Sequence, residues 1–312
     1  MGYVPCRAHL GVWCLLWVAS ACGAESVPGI GPSGKAERLQ TNLGFTEGPA
    51  SGGGERWVFS DIPANRIYLI ESQRNLSVAV EPSHHANGLM FDGNGRLVVC
   101  EMDGALVIRD LTSGERTVLT DKYEGRRYNA PNDLVIDNQG GVYFTDPRFR
   151  APEPWPQRKE AFYYRSPRGD VTRLGDDLPA PNGIILSPDE KTLYVVPSMQ
   201  KEMMAYRVVQ PGQLGPGRVL CTLKQPAGED TSGGDGLTLD TAGNLYITSQ
   251  LGIQVFSPQG RRLVTIPLAE QPANVTFGGP DGHTLLVTAR TSVYTVPMES
   301  RGHRFSGAIP LD

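Results

Sequence analysis

The sequence predicts an all-β protein: a six-bladed β-propeller of four-stranded antiparallel blades, with the ring closed by an N-terminal strand. Three observations carry this. Short β-rich runs broken by Gly, Pro, Asn and Asp fill the chain, with 37 Gly and 25 Pro among 312 residues, and no helical period is sustained beyond the first 25. Six of these runs align: RWVFSD at 56–61, RLVVCE at 96–101, GVYFTD at 141–146, TLYVVP at 192–197, NLYITS at 244–249 and TLLVTA at 284–289. They recur about every 40 to 50 residues, which suits a four-stranded propeller blade and is too long for a leucine-rich repeat.

From the N-terminus, residues 1–21 read as a secretory signal. Arg7 and His9 precede an apolar stretch from Leu10 to Val18, and small residues follow to Ala24. The apolar run is too short to span a bilayer. Ala19-Ser20-Ala21 fits a cleavage site, which implies export to the periplasm or the exterior. The same bond precedes Cys22, so the second reading is a lipoprotein signal with a lipid anchor on Cys22 as the one membrane attachment; Ala19, where Leu is usual, counts against it. Residues 22–36 read as a flexible linker. Gly29 to Lys35 nearly matches a phosphate-binding loop, but Ala36 stands where Ser or Thr should hold magnesium and no strand precedes it. Only Cys100 and Cys221 lie in the body of the chain, with no CxxC, so they read as buried free thiols.

The propeller then occupies residues 37–312. The second blade shows all four strands: LMFD at 89–92 innermost, then RLVVCE, ALVIRD and RTVLTD, joined by turns at Gly93-Asn94-Gly95, Asp103-Gly104 and Ser113-Gly114. The last blade shows strands near 274–278, 284–289 and 292–298 and then the chain nearly ends. An open ring would leave bare edges. Glu37 to Leu43 has no partner of its own and is expected to supply the missing outer strand. The net charge of −4, with no long basic run, gives no sign of nucleic-acid binding.

A polar residue in a tight turn lies nine or ten residues before each aligned strand: Glu47, Asn87, Asn132, Asn182, Asp235 and Asn274. Equivalent positions of successive blades point at one axis, so six oxygen-bearing side chains should converge at one mouth of the channel. Asn and Asp before Gly are also ordinary turn residues, but turn chemistry does not call for Glu47, nor for six matches in phase. Two carboxylates and several amide oxygens suit one divalent cation: calcium first, with magnesium, manganese and zinc behind it. Zinc would want His or Cys, and the His residues show no HExxH spacing; His84 and His85 read as exposed loop residues or as lining of the mouth. At the ends of the aligned strands, blades one to three place Asp61, Glu101 and Asp146, which read equally as a second functional layer or as turn caps. RAPEPWPQRK at 150–159 reads as a lid or surface loop.

At these residues the chain resembles the senescence marker protein-30/gluconolactonase/regucalcin-like family, and most of all its bacterial gluconolactonase branch. The resemblance is carried by EGPA at 47–50, HANGLMFDGNGRLVVCE at 85–101, YEGRRYNAPNDLVIDNQGGVYFTDP at 123–147, PNGIILSPDEKTLYV at 181–195 and GGDGLTLDTAGNLYITS at 233–249. It implies a divalent cation held by Glu47, Asp235 and Asn182 and, in some branches, Asn132; in others the residue matching Asn132 contacts substrate or a metal-bound water. It also implies hydrolysis of a sugar lactone, with other lactones and phosphotriesters within the family's range. Animal-type members carry an arginine two residues before that asparagine, where this chain has Ala130. The expected mechanism is Lewis-acid activation of the lactone carbonyl, with Asp235 as ligand and general base, Glu101 or Asp146 in reserve as the base, and Asn87, Glu101, Asn129 and Asn132 orienting sugar hydroxyls. No GxSxG elbow occurs, which argues against a serine nucleophile. The competing reading is a non-catalytic, metal-stabilised propeller that binds a saccharide or a protein. The oligomeric state is left open.

Overall fold

The computed structural model describes residues 26–71 and 75–311. The signal at 1–21 and Cys22 lie outside the described residues. Strand β1 (Glu37–Gln40) is followed by six four-stranded antiparallel sheets. Blade 1 is β2 (Thr46–Gly53), β3 (Arg56–Asp61), β4 (Arg66–Ile70) and β5 (Leu76–Val80). Blade 2 is β6 (Ala86–Phe91), β7 (Leu97–Glu101), β8 (Ala105–Arg109) and β9 (Arg116–Thr120). A two-residue hairpin, β10 (Lys122–Tyr123) and β11 (Arg126–Arg127), leads to blade 3: β12 (Leu134–Ile136), β13 (Val142–Asp146), β14 (Ala161–Arg165) and β15 (Val171–Gly175). Blade 4 is β16 (Pro181–Leu186), β17 (Thr192–Pro197), β18 (Glu202–Gln210) and β19 (Gln213–Thr222). Blade 5 is β20 (Leu237–Leu239), β21 (Leu245–Ser249), β22 (Gly252–Phe256) and β23 (Arg262–Ile266). Blade 6 is β24 (Asn274–Gly278), β25 (Thr284–Ala289) and β26 (Ser292–Pro297), completed on its outer edge by β1, with Glu37 opposite Thr295.

Burial explains the sequence pattern. Every residue of β7, β8, β13 and β14 is buried, because both faces of an inner strand meet neighbouring blades. Such strands read as continuous apolar runs. The outer strands β5 and β9 keep exposed positions. The apolar clusters fall between adjacent blades: Val58, Ile67, Leu97 and Val107 join blades 1 and 2, and Phe59, Ile70, Leu286 and Val293 join blades 1 and 6. The second of these exists only when the ring is closed.

Two terminal segments depart from the expectation. Residues 26–36 are not a free linker. Gly29 N–H donates to Glu299 Oε2 at 2.7 Å, Ser33 N–H to the Pro297 carbonyl at 2.9 Å, and Val27 and Ile30 pack on the apolar cluster of blades 5 and 6. Backbone pairing and two apolar side chains outweigh the turn-forming composition that suggested flexibility. Beyond β26, residues 299–311 form a strap across the ring. Gly302 N–H bonds to Gly282 O and His303 N–H to Leu239 O, on blades 6 and 5. The strap then takes a hydrogen bond from Gly93 N–H at Gly307 O and buries Ile309 in the cluster of blades 2 and 3. Its anchors thus lie on opposite sides of the ring.

Candidate active site

The backbone fixes where the in-phase residues point. The carbonyls of four of them are gripped by the blade before: Ser60 Oγ donates to Asn87 O at 2.8 Å, Thr145 Oγ1 to Asn182 O at 2.7 Å, and Gly183 N–H to Asp235 O at 3.0 Å. Gly88 N–H likewise donates to Asn132 O at 2.7 Å. This close approach is why glycine follows the polar residue so often. A Cβ on Gly48, at φ +45°, would meet Asn87 O at 1.9 Å, and one on Gly183 would meet Asp235 O at 2.7 Å. With its backbone tied to the neighbouring blade, each side chain is left facing the axis.

Five of the six expected residues, Glu47, Asn87, Asn132, Asn182 and Asp235, line one cavity of about 550 Å³ at the mouth of the channel. That size lies within the usual range for small-ligand sites. Asn274 does not join them. It lines a second cavity of about 380 Å³ at the far end, bordered by strap residues 301–306. Its Oδ1 accepts from Val275 N–H at 2.8 Å, and its side chain hydrogen-bonds both Glu47 and Asp133 from beneath. Asn274 therefore converges on the axis as well, but one layer beneath the mouth.

The mouth has acceptors in excess. Burial, with Asp235 close by, pushes the Glu47 carboxyl well above the usual carboxylate range. Burial also pushes Asp235 up to about 7, although Asn182 Nδ2 donates to its Oδ1 at 2.6 Å and Arg290 opposes the shift. Asn87 Oδ1 and Asn182 Oδ1 are buried and accept no hydrogen bond. Their amide nitrogens are committed: Asn87 Nδ2 lies 3.8 Å from Met102 Sδ, and Asn182 Nδ2 also reaches Ser198 Oγ at 3.1 Å. Buried acceptors without donors are costly, and orphaned oxygens beside two carboxylates fit a hard cation. Among the described residues no three His, Cys, Asp or Glu side chains gather in metal-holding geometry, so the two carboxylates would share the load with amide oxygens.

The layer at the strand ends is different. Asp61 accepts Gly44 N–H, Phe45 N–H and Ala64 N–H; Asp146 accepts Asn129 N–H at 2.9 Å and Ala130 N–H at 2.7 Å. Glu101 is closed in by Arg109 Nη2 at 2.9 Å and Arg116 Nη2 at 2.6 Å. All three lie outside the mouth lining and cap turns or pair strands. This corrects the substrate-orienting role expected for Glu101 and the reserve-base role of Glu101 and Asp146. Asn129 is also spent. It is fully buried, its Nδ2 donates to Lys159 O at 2.7 Å, and its Oδ1 accepts Gln157 N–H at 3.0 Å. It fastens the 150–159 loop and does not orient a sugar. His84 and His85 pair with Asp103 away from the mouth lining.

Sequence reasoning missed Asp133 and Phe149, while Arg150 opens the 150–159 segment read as a lid or surface loop. Asp133 stands where blades 1, 2, 4 and 5 have glycine after the in-phase residue, and that exception was its visible signal. Burial pushes it up to about 7, and it lines the far cavity. Phe149 and Arg150 reach the mouth from the loop after β13, whose course no periodicity reveals.

Comparison with known proteins places the chain in a family. Residues 45–291 match the family model described as SMP-30/Gluconolactonase/LRE-like region. The chain is 28% identical over 291 residues to the gluconolactonase of Zymomonas mobilis subsp. mobilis, covering 85% of this chain and 82% of that one. It is 26% identical over 243 residues to lactonohydrolase oryL of Aspergillus oryzae, covering 69% and 56%. A solved gluconolactonase from Xanthomonas campestris superposes with a TM-score of 0.77 at 29% identity, over 84% of this chain and 89% of that one. With more than half its length matched by the family model and the same ring of blades, the chain belongs to the SMP-30/gluconolactonase/LRE-like family.

Proposed function

We propose that the protein is a lactone hydrolase that depends on a divalent cation, calcium first, and acts on a sugar lactone. The observation that carries the reading is the excess of buried acceptors at one mouth: the carboxylates of Glu47 and Asp235 and the orphaned amide oxygens of Asn87 and Asn182. Gluconolactonase and lactonohydrolase are the names of its relatives, which supports the substrate class.

Glu47, Asn182 and Asp235 would hold the cation, with Asn132 beside them. When bound, the cation supplies Lewis acidity and positive charge at the lactone carbonyl. Asn87 and Asn132 would orient the ring through their amide groups. Asp235 takes the proton of the attacking water: Asn182 engages its Oδ1, and no described residue donates to its Oδ2. The water oxygen bonds to the carbonyl carbon, the ring C–O bond breaks, and the ring oxygen takes up a proton to leave a hydroxy acid. Export through the segment at 1–21 belongs to the same proposal, and the mass of the mature N-terminus tests it.

The test is acid release from glucono-1,5-lactone by purified protein with calcium, after chelation, and with Asp235→Asn, subtracting spontaneous ring opening. Turnover that needs calcium and is lost in the variant supports the reading. Calcium binding without turnover of any lactone overturns it in favour of a metal-stabilised binding propeller.

A further inference from the structure

The wall of the mouth is divided by chemistry. Towards blades 1 to 3 it carries an apolar patch, Phe45, Ile62, Pro63 and Met102, with Phe149 and Arg150 at the rim. Ile62 and Met102 pack with Ala130 and Phe45 into one apolar cluster, so the surface continues behind the lining. Towards blades 4 to 6 it carries Ser198, Ser232, Gln250 and Gln271. The polar side chains on this side are Glu47 and Asn132 at the axis, Arg150 beside Phe149, and Asn87, whose Nδ2 already faces Met102 Sδ. Phe149 is 46% exposed, an unusual state for a large aromatic at the edge of a site.

A lactone hydroxylated on every carbon would lay some hydroxyls on the patch of Phe45, Ile62, Pro63 and Met102 and strip them of water with no partner in return. The cavity of about 550 Å³ also exceeds what one six-membered ring fills. We infer that the substrate is an amphipathic lactone: its carbonyl lies at the carboxylates, its polar edge faces blades 4 to 6, and an alkyl or aryl substituent lies on Ile62, Met102 and Phe149. This rests on the lactonase reading above and replaces its fully hydroxylated sugar ring with a ring that carries an apolar substituent. Ile62 and Phe149 become specificity-determining residues, since they touch the substituent and not the reacting bond.

The experiment compares, with calcium-loaded protein, three lactones: glucono-1,5-lactone, δ-valerolactone, and δ-undecalactone, which is the same ring as δ-valerolactone with a hexyl tail. The tail should lower KM by about tenfold or more, and Phe149→Ser and Ile62→Thr should each erode that gain. Phe149 is exposed, so its replacement leaves the core intact. A tail that brings no gain, or a gain that neither variant moves, overturns the inference while any turnover keeps the lactonase reading standing. If no lactone is hydrolysed, that reading fails separately, and binding decides the wall. A δ-lactam with a hexyl tail should then bind more tightly by calorimetry than gluconolactam, and less so in Phe149→Ser; equal binding of the two lactams overturns the inference.

Discussion

The strand-end carboxylates and Glu47 at the axis are hidden to the same degree, with Asp235 a little more open, and the two sets differ in their surroundings. At the strand ends of blades 1 to 3, Asp61 and Glu101 are each 1% exposed and Asp146 is fully buried. At the axis, Glu47 is 3% exposed. The first set is matched by donors: three backbone N–H groups on Asp61, two on Asp146, and two guanidinium groups on Glu101. The second set has a single backbone N–H on Glu47, amide donors from Asn182 and Asn274, and orphaned oxygens beside it. Burial alone therefore does not distinguish a structural acid from a functional one. The surroundings do: at the axis two acids stand close enough for Asp235 to raise Glu47, beside amide oxygens that accept nothing, and such an excess of acceptors calls for a charge from outside the chain.

Replacing one acid from each set should separate them most sharply. Glu47→Gln is expected to abolish calcium binding by calorimetry and to lower lactone turnover by roughly 10³-fold, with the calcium-free fold as stable as before, since the swap removes repulsion with Asp235. Glu101→Gln should do the reverse. It leaves Arg109 and Arg116 facing a neutral amide, and urea unfolding should show a loss of about 3–5 kcal/mol, while kcat/KM of the folded fraction stays within a few-fold. A Glu101 variant that kept its stability and lost turnover would erase the distinction.

The pH dependence gives a smaller effect. Burial raises Asp133, Asp146 and Asp235 to about 7. Because these folded-state values stand above the unfolded ones, their contribution to stability is whole below about 4 and is lost as pH rises through about 7. Calcium-free protein should therefore lose on the order of a few kcal/mol between pH 5 and 8, seen as a falling Tm. Calcium should flatten the share that belongs to the axis and leave the share of Asp146. The smallest change is expected from Ser198→Ala. Ser198 Oγ accepts from Asn182 Nδ2 and donates to Gly234 O at 2.9 Å. Its loss should cost about 1 kcal/mol, read as a few-fold weaker calcium affinity with kcat little changed.

The blades were legible because their signal is local. The aligned strands, their turns and the partnerless segment at Glu37 to Leu43 all sit where the chain's own periods put them. The in-phase residues were legible for the same reason, since equal phase in a closed repeat means one shared axis. Asn274 keeps the phase but lies a layer beneath the mouth, its side chain held by Val275 N–H and spent on Glu47 and Asp133, and sequence phase carries no rotamer. The strand-end acids were ambiguous because an aspartate that caps a turn and one that awaits a ligand look alike in sequence. What decides between them is the set of donors that other loops bring, such as Arg116 to Glu101 from two strands away. The strap was illegible because its anchors are mostly backbone groups, which any residue could supply.

The closure of the ring by β1 on β26 sets the order of assembly. Glu47 lies in the first blade, while Asp235 and Asn274, which act on it, lie in the fifth and sixth. These residues become neighbours only after β1 finds a strand more than 250 positions later, as Arg38 pairs with Tyr294. The contact is among the most non-local a chain of this size can make, and such contacts form late. A half-made chain therefore presents its carboxylates singly, as ordinary solvated groups. The proposed cation site would then be the last feature to mature, and a bound cation would report that the whole circle has been completed.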